Sequence, residues 1–216
     1  SNSSAYQSNA TIGAKIAELT TPKPPYPGAL VVMAAGNRMQ SACEETYEVV
    51  NDADGVIVVG GMDANGQQVV NLNGVHGFHA PPPGDPDNGK GSSDGPCVTM
   101  YAPSKNIYSS WGGSPQPGDG PPRSERTFLS GTSMAAPHIA ALAAYTAASS
   151  GGSWTPGSLE AQLRSLGGPL QSFDRQGDPI RLVKHPSAGF TIPAALPTAE
   201  FLIRMDGTDY VNPPWT

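Results

Sequence analysis

Two kinds of apolar pattern alternate along the chain. "ALVVMAAG" (29–36) and "GVIVVGGM" (55–62) are continuous apolar runs, which suit central strands of a parallel sheet buried on both faces. "ATIGAKIAEL" (10–19) spaces its apolar residues at helical intervals against a polar face, predicting a helix packed on the surface of a domain. "SLEAQLRSL" (158–166) predicts another amphipathic helix. From Met134 to about Ser149 the chain is apolar nearly all round, as in a helix enclosed by its domain. Pro137 is expected in or just after the first turn of that helix, where a missing N–H costs little. "CVTMYAPS" and "NIYSSW" (97–111) and "PIRLV" (179–183) predict three short strands, and "QQVVNLNG" a weaker extended stretch.

Proline and glycine punctuate these elements. "TTPKPPYPG" forbids a regular element, and "HAPPPGDPDNGKGSSDGP" and "GGSPQPGDGPPRSER" read as loop insertions. The alternation of buried strands with helices predicts an α/β domain with a mostly parallel sheet. Reactive groups in such folds collect at the carboxyl ends of strands. Two short strings occupy that kind of place: "AAGN" after a strand and "GTSM" before a helix. The main fold is expected to span 1–183, with 184–216, which lacks a clear period, as a C-terminal extension.

Composition narrows the functional classes. The 216 residues carry 18 acidic and 12 basic side chains, a net charge of −6, which argues against nucleic acid as a partner. No run of 18 apolar residues is present, so no membrane-spanning helix is expected. The first residues show no secretory leader, which a processed chain would have lost. Asn2 and Asn9 begin sequons that permit glycosylation in a secreted protein. Cys43 and Cys97 are compatible with one bridge, with two free thiols or with coincidence. Asp52, Asp54, Asp206 and Asp209 form no recognisable metal loop, and their neighbourhoods read as turns.

A serine before an enclosed helix has bland explanations, as an N-cap or a space-filler. The longer string "SGTSMAAPH" (130–138) goes further. It resembles the nucleophile signature of the subtilisin-like serine proteases, differing just beyond it in Ala141 where that family has glycine. "VVMAAGN" (31–37), then "VIVVGGMD" and "YAPS", resemble other strings of that family in the same order, from about residue 10 to about 183. The pattern is closest to the proteinase-K-like branch. The resemblance implies a three-layer α/β fold, of which this chain is the C-terminal portion.

It also implies roles. Ser133 matches the nucleophile and Asn37 the asparagine whose side-chain amide stabilises the oxyanion. The Ser133 N–H, at the positive end of the helix dipole, is the expected second donor. Ala34, Ala35 and Gly36 match a wall of the substrate pocket, and Thr132 supports the oxyanion region. Met134 adjoins the nucleophile, so peroxide is expected to inactivate the enzyme through its sulfoxide. In some relatives two cysteines placed like Cys43 and Cys97 are bridged, which implies an oxidising, extracytoplasmic location. No cofactor is required by this chemistry; calcium often stabilises the family, but no site for it is legible.

The serine needs a histidine as base and an aspartate to orient it, and the family order is aspartate, histidine, serine. None of the four histidines fits. His138 lies within the matched helix, His76 and His79 follow Asn37 at the head of an insertion, and His185 lies past the matched region. The expected arrangement is therefore a segment of a catalytic domain whose histidine and aspartate reside on an N-terminal segment, as a separate chain or in a precursor. The competing class is a pseudoenzyme or peptide-binding module on the same scaffold. An α/β-hydrolase esterase is excluded because "GTSMA" lacks the second glycine of that family's elbow.

Overall fold

The structure, a computed structural model, describes residues 10–45, 54–70, 91–111, 125–151, 154–183, 202–205 and 208–211. The elements in chain order are α1 (Ala10–Thr20), β1 (Val31–Ala34), the single turn α2 (Ala42–Glu45), β2 (Val56–Met62), β3 (Met100–Pro103), β4 (Ile107–Trp111), β5 (Glu125–Leu129), α3 (Thr132–Ser149), α4 (Pro156–Leu166), β6 (Gly167–Phe173), β7 (Pro179–Val183), β8 (Leu202–Met205) and β9 (Thr208–Val211). Five strands form the main sheet in the order β1-β2-β3-β7-β6. The first four are parallel, and β6 joins β7 as an antiparallel edge.

β2 is buried along its whole length, as its unbroken apolar run requires. Alternation sends its side chains to two different cores. Ile57 and Val59, with Met100 and Ala102 of β3, pack against Ala135, Ile139 and Ala143 of α3 and Leu159 and Leu163 of α4. Val58 turns the other way and clusters with Ala35 and Ala42, while Tyr101, Met62 and Ile180 form a third cluster. α4 begins at a reciprocal capping box, Thr155 accepting from the Ser158 N–H and the Ser158 hydroxyl accepting from the Thr155 N–H. Glu160 then accepts from the Gly55 N–H at 2.8 Å and pairs with Arg164, tying α4 to the turn before β2.

Several elements depart from the sequence reading. β5 begins inside the second proline-rich insertion, because pairing with β4 draws Glu125 and Arg126 into a hairpin. β6 was unmarked in the sequence; its partner β7 supplies the ladder that its own glycines do not predict. Of the first insertion, residues 91–94 are buried against residues 36–42 through the bridges Arg38↔Gly91 and Ser41↔Asp94. The extension contributes the hairpin β8–β9, which pairs only with itself among the described strands. Helix α3 starts at Thr132, so Pro137 falls just after the first turn, as expected, where it cannot donate to the Ser133 carbonyl four residues back. However, α3 is not enclosed by the described residues. Thr132, Ala135, Ile139, Ala143 and Thr146 form one buried stripe, while Pro137, His138, Ala140, Ala141 and Ala144 are exposed.

Candidate active site

The carboxyl end of β1 and the amino end of α3 meet, and each turn that delivers them depends on a glycine. Gly36 follows β1 with φ 104°, and Gly131 caps α3 with φ 147°. Both values lie where a Cβ is poorly tolerated. Asn37 is thereby turned toward the start of α3. Its Oδ1 accepts from the Thr132 N–H at 2.9 Å and from the Thr132 hydroxyl at 3.1 Å. The same hydroxyl reaches the Gly36 carbonyl at 3.2 Å and accepts from the Gly36 N–H at 3.3 Å.

Asn37 therefore acts as a long-range cap on a helix that has no local side-chain cap. With its oxygen engaged, the amide nitrogen is left with its two donors, and it makes no hydrogen bond among the described residues. Ser133 follows Thr132 directly and is exposed, and its backbone N–H is also unbonded among the described residues. A free backbone N–H at a helix start and an anchored carboxamide can together receive a developing oxyanion, beside an exposed hydroxyl able to act as nucleophile.

Thr132, expected only to lend support by proximity, is the joint between the two halves of the site and is 1% exposed. Ala35 is fully buried and its N–H bonds to the Val59 carbonyl, so its backbone is held by the sheet. Ala34 lies at the end of β1 and is half-buried. Met134 is half-buried beside the serine. His138 is exposed, with Nδ1 2.8 Å from the Met134 carbonyl oxygen. Five residues along a helix turn it about 140° away from the direction of Ser133, so it is not placed to take the serine proton. His76, His79, His185, Asn2, Asn9, Asp52 and Asp206 lie outside the described residues. Asp54 sits in the turn before β2. Among the described residues no group of three or more His, Cys, Asp or Glu could hold a metal ion, and no helix is long and apolar enough to cross a membrane.

Cys43 and Cys97 form a disulfide, enclosing 54 residues of sequence separation. It fastens α2, just past the Asn37 loop, to the approach of β3. A second fastening had no signal in the sequence. Asp94, fully buried, accepts a two-pronged pair from Arg175 at 2.9 and 3.0 Å, together with Gln68 at 2.8 Å and Gln176 at 2.7 Å. Asp174 accepts from the Gly95 N–H and the Tyr101 hydroxyl, each at 2.9 Å. Burial first, then the bond to Asp174, pushes the Tyr101 phenol far above its ordinary value, so it remains the donor. These residues are far apart in sequence, and no local pattern links them.

A model of the subtilase family matches residues 2–168. The chain is 32% identical over 154 residues to the alkaline extracellular protease of Yarrowia lipolytica, covering 70% of this chain and 29% of that protein. It is 30% identical over 138 residues to a cuticle-degrading serine protease of Arthrobotrys oligospora, covering 64% of this chain and 26% of that protein. The chain thus spans under a third of the length of these curated relatives. Among solved structures, a cold adapted subtilisin-like serine proteinase superposes with a TM-score of 0.51 at 25% identity, covering 73% of this chain and 45% of that one.

Proposed function

This chain belongs to the subtilase family, and on that premise we propose that it carries the nucleophile and oxyanion hole of a secreted serine endopeptidase. Ser133 attacks the peptide carbonyl, and the amide of Asn37 and the N–H of Ser133 receive the charge on its oxygen. The acyl-enzyme on Ser133 is then hydrolysed. Ala34, Ala35 and Gly36 form a wall of the pocket for the substrate side chain. The observation that carries this reading is the anchoring of the Asn37 side-chain oxygen on Thr132, one residue before an exposed serine at a helix start.

The histidine and aspartate come, in this proposal, from an N-terminal segment of the same catalytic domain on a separate chain. Two surfaces support such a complement. Among the described strands β1 is an edge of the parallel sheet with a single neighbour, and parallel edges are normally covered. Next to it, α3 exposes its alanine face, in a helix whose composition suits enclosure.

The test is covalent labelling of native material by a fluorophosphonate, followed by peptide mapping and intact mass. The expected result is modification of Ser133 in a complex that contains a second chain, and no modification of Ser133→Ala. Replacing the partner's histidine should lower turnover by about a millionfold, as in subtilisin. Native complex that leaves Ser133 unmodified would sink the endopeptidase reading in favour of a peptide-binding scaffold.

A further inference from the structure

The buried cluster around Asp94 lies outside the catalytic groups, yet it bears on their placement. Residues 91–94 run beside the loop that carries Asn37. The Gly91 N–H bonds to the Asn37 carbonyl at 3.2 Å, the Ser93 N–H to the Gly36 carbonyl at 2.9 Å and the Asp94 N–H to the Gln40 carbonyl at 3.0 Å, while the Ala42 N–H returns to the Asp94 carbonyl at 2.7 Å. The oxyanion loop is therefore shaped by this strip.

The strip is not self-sufficient. It follows a proline-rich segment, and the buried Gln40 Oε1 and Ser93 Oγ have no hydrogen-bond partner among the described residues, which weakens the local pairing. The turn between β6 and β7 supplies the external hold. Arg175 grips both oxygens of Asp94, Gln176 adds a third donor, the Arg175 N–H is fixed by Gln68 at 2.7 Å, and Asp174 holds Gly95. That turn is itself rigid, since the Asp174 side chain accepts from the Gln176 and Asp178 N–H groups, each at 2.9 Å. It lies beyond the stretch matched by the family model, which ends at residue 168.

We propose that Arg175 and Asp94 are positioning residues for catalysis: the β6–β7 turn clamps strip 91–94 and thereby fixes the backbone of Gly36 and Asn37 in the geometry that receives the oxyanion. The proposal rests on the reading of Asn37 as an oxyanion donor. A loosened clamp lets the carboxamide wander from the reacting oxygen, so the transition state suffers more than substrate binding does.

Arg175→Met leaves a buried carboxylate unpaired and risks unfolding. The working variant is therefore the double substitution Asp94→Asn with Arg175→Gln, which removes both charges together. In the native complex, with kcat counted per fluorophosphonate-titrated site, it should lower kcat by about tenfold with KM nearly unchanged. The decisive arm repeats the pair of substitutions in an Asn37→Ala background. If the clamp acts through Asn37, its effect there shrinks to under about twofold. A full tenfold loss in that background, or no loss in the parent, overturns the proposal. Should Asn37→Ala alone leave kcat unchanged, the oxyanion assignment itself has failed, which is a different outcome.

Discussion

Thr132 sits where a backbone cap, a side-chain anchor and a turn converge, and its hydroxyl both donates and accepts across the gap between β1 and α3. Replacing it by valine keeps the shape and branching but removes every one of those bonds. The carboxamide of Asn37 would then keep only the Thr132 N–H as an anchor. Removing one oxyanion donor in subtilisin costs about 10²–10³-fold in kcat, so Asn37→Ala should fall in that range in the native complex. Thr132→Val should fall short of it, near tenfold, and Thr132→Ser should recover most of the loss because serine keeps the hydroxyl. Steady-state kinetics on the three variants checks the order. Equal activity of Thr132→Val and the parent would mean that the anchor does not act on the reaction.

Among the elements, α2 and the approach to β3 are joined by the only covalent cross-link in the chain, since the disulfide uses both cysteines. A bridge across 54 residues stabilises by on the order of 4 kcal/mol when its effect is reckoned as lost freedom of the unfolded chain. Cys43→Ser with Cys97→Ser should lower the unfolding free energy of the native complex by about that amount, measured by denaturant titration. Helices and strands in this chain were legible in proportion to how local their causes are. β2 follows from its unbroken apolar run and α1 and α4 from their period, and the structure has them within two residues of the expected ends. β5 and β6 were missed because a hairpin partner, rather than their own residues, makes them strands. Part of the first insertion proved to be a buried strip for a similar reason: most of its backbone hydrogen bonds go to residues 36–42, some fifty positions earlier in the chain.

For the whole molecule, the asymmetry of α3 has a direct consequence. One stripe is packed on the sheet and the opposite alanine face is exposed, next to a parallel edge that no described strand covers. Separated from its complement, the chain should bind a hydrophobic dye and melt without a sharp transition, because open apolar faces and unpaired edges favour association. A monodisperse, cooperatively melting preparation of these 216 residues alone would count against the two-chain arrangement.

What the sequence determined by itself was whatever short-range chemistry dictates. Unbroken apolar runs required doubly buried strands, a 3.6-residue period required helices, and the strings around Asn37 and Ser133 singled out the two groups assigned to the proposed active site. The tertiary structure alone decided how those groups are held. Thr132 became the joint because β1 and α3 end at the same place in space, and Asp94, Arg175 and Asp174 became partners because the sheet brings the β6–β7 turn against residues 91–95. Side-chain hydrogen bonds depend on ångström distances between residues separated by about a hundred positions, and no local pattern of hydrophobic and polar residues encodes such distances.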